Sequence, residues 1–217
     1  MLVKDRMTVN PLTITKQTTI AAALQLMRDK KVRRLPVMEG EKLIGIVTDR
    51  DLSEVSPSPA TSLSMFELNY LLAKSTIGDS AMKKQKLLTI SPDAFIEEAA
   101  LIMRDNKVGG LPVLDNGKLV GIITETNIFD AFIDIMGLRQ KGYRITVLVK
   151  EDRYGVMADL TKVIAANEGN ITHTTTYHNQ QNDVVVIFRL DSGDIIKIIE
   201  AIRDLGYPAE YIETNRA

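Results

Sequence analysis

A shift of 76 positions lays one part of this 217-residue chain on another. It carries Leu35-Pro36-Val37 onto Leu111-Pro112-Val113, and Leu43-Ile44-Gly45-Ile46-Val47-Thr48 onto Leu119-Val120-Gly121-Ile122-Ile123-Thr124. The same shift takes Ile20, Ala23, Leu24 and Met27 onto Ile96, Ala99, Ala100 and Met103, and Thr13-Ile14 onto Thr89-Ile90. Ungapped agreement of this length marks a duplicated module. A unit of about 60 residues buries little core by itself, so the two copies are expected to pack together.

Each copy reads as β-α-β-β-α. Ile20, Ala23, Leu24 and Met27 stand at i, i+3, i+4 and i+7, one face of an amphipathic helix. In the second copy the equivalent helix is expected to open at Ser91-Pro92-Asp93, an N-cap followed by proline. Two short apolar strands follow, Leu35 to Met38 and Leu43 to Val47, and their second-copy counterparts meet at Asp115-Asn116-Gly117, a strong hairpin signal. A helix closes each copy, from Asp49 in the first and over Glu125 to Met136 in the second. Between the copies, Ser53 to Ser64 has a connector composition, and Phe66, Asn69, Tyr70, Leu71 and Leu72 predict a short helix at the seam.

Beyond Gly137-Leu138-Arg139-Gln140-Lys141-Gly142 the pattern changes. Ile145, Val147 and Val149 alternate as a strand; Val156, Leu160, Val163 and Ile164 form a helical stripe with Gly169 as its expected stop. Ile171 to Tyr177 and Val184 to Leu190 read as strands around a polar turn, Ile195, Ile198, Ile199 and Ile202 as a second helical stripe, and Tyr207 to Ile212 as a last strand. This is the β-α-β-β-α-β order of ferredoxin-like domains. The chain is thus expected to be α+β, with repeats at 1–56 and 77–136, a connector at 57–76, a linker at 137–142 and a last domain at 143–217.

The residue inventory narrows the chemistry. There are no cysteines, which removes thiol nucleophiles, disulfides and thiolate metal sites together. His173 and His178 read as exposed strand residues on opposite faces, so no metal is expected. No nucleophile elbow, phosphate-binding glycine loop or dinucleotide fingerprint is present. A formal net charge of −1 gives no basic field for nucleic acid. The charged start, Met1 to Met7, and the lack of a long apolar run point to a cytoplasmic chain with no membrane segment.

The h-P-V element, the Gly-h-h-Thr-x-x-Asp run at Gly45 to Asp51 and their duplication resemble a pair of CBS domains over roughly residues 1–136. The resemblance implies a regulatory ligand containing adenosine (AMP, ADP, ATP or S-adenosylmethionine) in a cleft between the copies, and a homodimer. It places the site at Thr13, Val32, Arg33, Arg34, Leu35, Pro36, Thr48, Arg50 and Asp51, with the backbone of 32–36 bracketing the adenine. Asp51 can accept from ribose hydroxyls, Thr48 can donate to phosphate, and Arg33 and Arg34 offer charge-assisted contacts. The same Thr48-x-x-Asp51 spacing also reads as a capping box that needs no ligand. A second, weaker site is expected at Thr89, Val108, Gly109, Gly110, Pro112, Thr124 and Asn127. There Asn127 replaces the aspartate, and the two glycines either lose the phosphate grip or make room opposite the arginine pair.

Asp152-Arg153-Tyr154-Gly155, with Gly169-Asn170-Ile171 further on, resembles an ACT domain, although Tyr154 stands where that family usually has proline. The resemblance implies paired subunits with an amino acid bound at the seam between them, by Asp152, Gly155, Val156, Asn170 and Ile171. The combined reading is a non-enzymatic sensor that needs no cofactor and acts on a partner enzyme. An adaptor that dimerises and docks its partner without a ligand is the alternative.

Overall fold

The computed structural model describes residues 1–54, 74–80 and 87–214. Most of the Ser/Pro connector, and the short helix expected around Phe66 to Leu72, lie outside them. The chain divides into two compact units, Met1–Phe129 and Asp130–Ala217.

In the first unit the 76-residue shift persists in three dimensions. After a 3-10 turn at Val3–Asp5, copy one comprises β1 (Thr8–Val9), β2 (Ile14–Thr15), α1 (Ile20–Lys30), β3 (Arg34–Glu39), β4 (Lys42–Thr48) and α2 (Asp49–Glu54). A helical turn, α3 (Ile77–Ser80), leads to α4 (Ile96–Asn106), β5 (Gly110–Asp115), β6 (Lys118–Thr124) and α5 (Glu125–Ile135). Eight core positions match at this shift. Ile14, Ile20, Ala23, Met27, Leu35, Val37, Val47 and Leu52 are buried, and so are Ile90, Ile96, Ala99, Met103, Leu111, Val113, Ile123 and Ile128. Each hairpin carries a register irregularity at the same place, after Val37 and after Val113, opposite Gly45 and Gly121. The Asn116-Gly117 turn has φ of 48° and 80°, the left-handed pair that a tight hairpin needs.

The copies are joined by a reciprocal exchange of their leading residues. Ahead of copy one, Val3 and Lys4 donate N–H bonds to the carbonyls of Ala94 and Pro92, while Met1 accepts from Ile96. Ahead of copy two, Ile77 and Gly78 donate to Thr18 and Lys16, while Ser75 accepts from Ile20. Leu2 bridges Phe95 as Thr76 bridges Thr19. Val3 and Ile77 are both 0% exposed. This exchange explains a departure from expectation: α4 begins at Ile96, with Phe95 as N-cap, rather than at Ser91. Residues 91–94 form a turn whose carbonyls receive the leader, and Lys4 Nζ lies 2.7 Å from Asp93 Oδ1.

The second unit comprises β7 (Gly142–Val149), α6 (Val156–Ala166), β8 (Asn170–His178), β9 (Val184–Ser192), α7 (Ile195–Asp204) and β10 (Ala209–Thr214). Its antiparallel sheet has the order β10-β7-β9-β8. Ile145, Val147, Val149, Val186, Phe188 and Leu190 pack from one sheet face against Val156, Leu160 and Ile164 of α6 and Ile195, Ile198, Ile199 and Ile202 of α7. The last turns of α5 belong to this unit, so its boundary precedes the expected linker, whose Gly137 lies against His173. His173 is therefore half-buried, not exposed, and its Nδ1 is buried without a hydrogen-bond partner.

The stop of α6 also differs from expectation. The residue in the left-handed region is Glu168, at φ 60°, not Gly169. Gly169 is needed for space: a Cβ there would overlap Ile164 and crowd Ile198. Among the described residues no helix is long and apolar enough to cross a membrane.

Two stability measurements check these packing arguments. Ile77→Ala should lower the unfolding free energy by about 2–5 kcal/mol in urea titration, because it empties a fully buried site in the first copy's core. Glu168→Gly should raise stability by roughly 1 kcal/mol by relieving the left-handed backbone, whereas Gly169→Ala should lower it.

Candidate functional site

Two stretches separated by the hairpin converge at the mouth of copy one. The N–H of Asp49, at the start of α2, donates to the carbonyl of Arg33 just before β3, at 3.1 Å. Arg34 pairs with Thr48 across the sheet, and β2 runs parallel to β3 with Ile14 opposite Val37, so Thr13 flanks Pro36. Thr13 and Arg33 are exposed, Val32, Arg34, Thr48 and Asp51 half-buried, and Leu35 and Pro36 buried. These residues share one region. Arg50 is the outlier: its guanidinium reaches along α2 to Glu54 at 3.1 Å and is largely exposed.

Thr48 and Asp51 form a complete capping box. The Asp51 N–H donates to Thr48 Oγ1 at 3.1 Å, and Asp51 Oδ2 accepts from the Thr48 N–H at 3.0 Å and its hydroxyl at 2.8 Å. A hydroxyl has a single proton, so in this geometry Thr48 gives it to Asp51 and not to an outside phosphate. The box holds the carboxylate in one orientation at the start of a helix.

Copy two repeats the frame in part: the side-chain half of the box is present, without the reciprocal bond from the Asn127 N–H to Thr124. Glu125 N–H donates to the Gly109 carbonyl at 3.1 Å, and Asn127 Oδ1 accepts from the Thr124 N–H at 2.9 Å and its hydroxyl at 2.7 Å. Thr89 flanks Pro112, because Ile90 bridges Val113 in parallel. Val108 closes the end of α4 through its N–H to Met103. The oxygen-accepting half of the box is thus kept, while an amide nitrogen stands in place of the second carboxylate oxygen.

Arg34 crosses from one copy to the other. A Cβ added to Gly109 would overlap its guanidinium and crowd Glu125 Oε2, and one added to Gly110 would crowd its Cδ and Nε. Of the two readings of the glycine pair, room opposite the arginines is the one realised. Burial, with Arg33 beside it, holds Arg34 below the usual guanidinium range, while Glu125 and Asp49 pull the other way. Its charge is therefore committed to the seam between the copies, and Arg33 is the arginine of the pair that faces water.

The residues singled out in the C-terminal unit separate into two places. Asp152, Gly155 and Val156 line an open cleft of about 1020 Å³ with Val149, Tyr177 and His178. Gly155 caps α6 at φ 91°, where a side chain would be strained. Tyr154, at the usual proline position, projects fully into solvent. Asn170 and Ile171 lie at the opposite end of β8: Asn170 pairs with Ser192 and binds the Asp191 carboxylate, whereas His178, at the cleft, pairs with Val184. Within one chain these five residues do not form one site. Among the described residues no group of three or more His, Asp or Glu side chains gathers in a way that could hold a metal ion.

The CBS domain model matches residues 3–58 and 77–134. A CBS domain-containing protein of Dictyostelium discoideum is 36% identical over 138 residues, covering 63% of this chain and 94% of the relative. Inosine-5'-monophosphate dehydrogenase of Aquifex aeolicus is 34% identical over 125 residues, 56% of this chain, but the match spans only 22% of that enzyme. Among solved structures, a Vibrio cholerae chain assigned as an acetoin utilization protein (AcuB) aligns with TM-score 0.52 and 29% identity, over 64% of this chain and 94% of its own. CBSX2, crystallised in complex with AMP, aligns with TM-score 0.50 and 32% identity, over 62% of this chain and 97% of its own. The family model takes in both copies of the 76-residue repeat, and the chain belongs to the CBS-domain family.

Proposed function

We propose that this protein is a non-catalytic sensor whose CBS pair takes one adenosine-containing ligand, AMP, ADP, ATP or S-adenosylmethionine, at the mouth of the first copy. The observation that carries this reading is the AMP complex of CBSX2, a chain of similar fold at 32% identity that is matched over nearly its whole length. Asp51, held by Thr48 at the helix start, receives the ribose, and the stretch from Val32 to Pro36 brackets the adenine beside Thr13. Arg33 supplies the cationic contact. The second copy, with Asn127 and with Arg34 lying over its glycines, is the poorer site.

The C-terminal unit completes the sensor as a ferredoxin-like ACT domain; its β-α-β-β-α-β order and the left-handed Gly155 at the first strand-to-helix turn support this. An amino acid would enter the cleft beside Asp152, Gly155 and Val156, with Asn170 and Ile171 outside it. The likeness to the Vibrio chain supports an AcuB-type role in acetoin utilization, exercised in the cytoplasm as a homodimer on a partner enzyme. Ligand control requires that the ligand favour one arrangement of the protein over another. The competing reading, an adaptor that docks a partner with no ligand, draws on the capping box, in which Thr48 and Asp51 already bond to each other.

Calorimetric titration of the chain with each of the four ligands separates the two readings. At least one should saturate, and Asp51→Asn should weaken it by an order of magnitude or more, the worth of a charged hydrogen bond. The same substitution should lower the unfolding midpoint only slightly, because an amide oxygen already accepts from the Thr124 N–H and hydroxyl at the equivalent helix start. No binding at millimolar concentration would favour the adaptor.

A further inference from the structure

On the C-terminal sheet, the face turned away from α6 and α7 carries an uncompensated basic row. Arg144 of β7 is directly opposite Arg189 of β9, and Arg189 is directly opposite His173 of β8. Adjacent strands lie about 4.8 Å apart, so the three side chains are nearest neighbours on one face. Like charges directly opposed across a sheet are destabilising. Nothing acidic relieves them: among the described residues neither arginine forms an ion pair. Among the described residues, the one side-chain bond from the pair is Arg144 Nη1 to Thr146 Oγ1, at 2.7 Å.

Two further observations point the same way. Arg189 is half-buried, and burial, with Arg144 beside it, holds its guanidinium below the usual range. Partly desolvating a guanidinium without a counterion costs free energy, which a bound anion would offset. His173 Nδ1, covered by Gly137, is buried and has no acceptor. With Nδ1 closed off, Nε2 is the ring nitrogen left to meet a ligand.

We propose that Arg144, Arg189 and His173 form a site for a small oxyanion, a carboxylate or a phosphate, on the sheet face opposite the helices. The anion lies between the two guanidinium groups, whose planar forks suit its paired oxygens. Thr146, on the same face, borders the site. This site is separate from the cleft at Gly155 and does not rest on the nucleotide reading; a chain that took no adenosine ligand would still bind an anion here.

The test is titration of the full chain with sodium phosphate, and separately with sodium acetate, at fixed pH 8 and constant ionic strength, followed by the imidazole resonances. The expected result is a saturable shift of His173 with at least one of the two anions while His178 stays still, and at least tenfold weaker binding in Arg189→Met, which keeps the aliphatic stem. Saturation by phosphate alone identifies a phosphoryl ligand, and saturation by acetate a carboxylate. In anion-free buffer Arg189→Met should melt at a higher temperature than the parent, because one of two opposed charges is gone. Should that variant not fold, Arg144→Met is read in its place. Equal, non-saturating drift of both histidines, an unchanged titration in the variant, or a lower melting temperature of a folded variant overturns the proposal.

Discussion

A β-α-β-β-α unit of about 60 residues cannot finish its own core, and here each copy is finished by residues that precede the other. Val3 is buried against the copy that begins 76 positions later, and Ile77 joins the buried cluster of the copy already passed. The backbone bonds at the two places are equivalent, donor for donor, so the exchange acts as an internal two-fold. It also sets the mouths of the two copies near one another. Arg34 of one copy can then rest on Gly109 and Gly110 of its twin, with Glu125 beside it.

Much of this was legible in the residues, because repeats and periodicities report local structure. The helical stripes, the hairpins and the change of pattern after Gly142 all follow from spacing, and the buried core positions match at the expected shift. The exchange was not legible. Its partners are distant in sequence, and the leaders are related by a shift of 74, not 76, so an ungapped comparison passes over them. That blind spot also moved the start of α4, since Ser91-Pro92-Asp93 has every local mark of a cap and is occupied instead by the leader.

The C-terminal unit shows the same division between local and distant causes. Glycine after a helical stripe is a sound signal of a stop, yet the left-handed residue is Glu168, and Gly169 is small because Ile164 and Ile198 crowd it. His173 looked exposed because its strand is polar; it is covered by Gly137, from a segment read as a linker. Asp152 and Asn170 both flank α6 in the chain, but a helix carries its two ends apart, and the strand that follows places Asn170 beside Ser192. Sequence proximity to one helix is not proximity to one cleft.

In both copies one side-chain oxygen accepts from the threonine N–H and hydroxyl, while the reciprocal bond back to the threonine is made by Asp51 and not by Asn127. The threonine in each copy engages one side-chain oxygen, that of Asp51 or that of Asn127. The other half of each side chain is where the duplicates diverge. After the module doubled, one copy could therefore change its chemistry without forfeiting its helix start. Twins can drift apart wherever the bonds that start a helix engage only part of a side chain and leave one atom to vary between the copies.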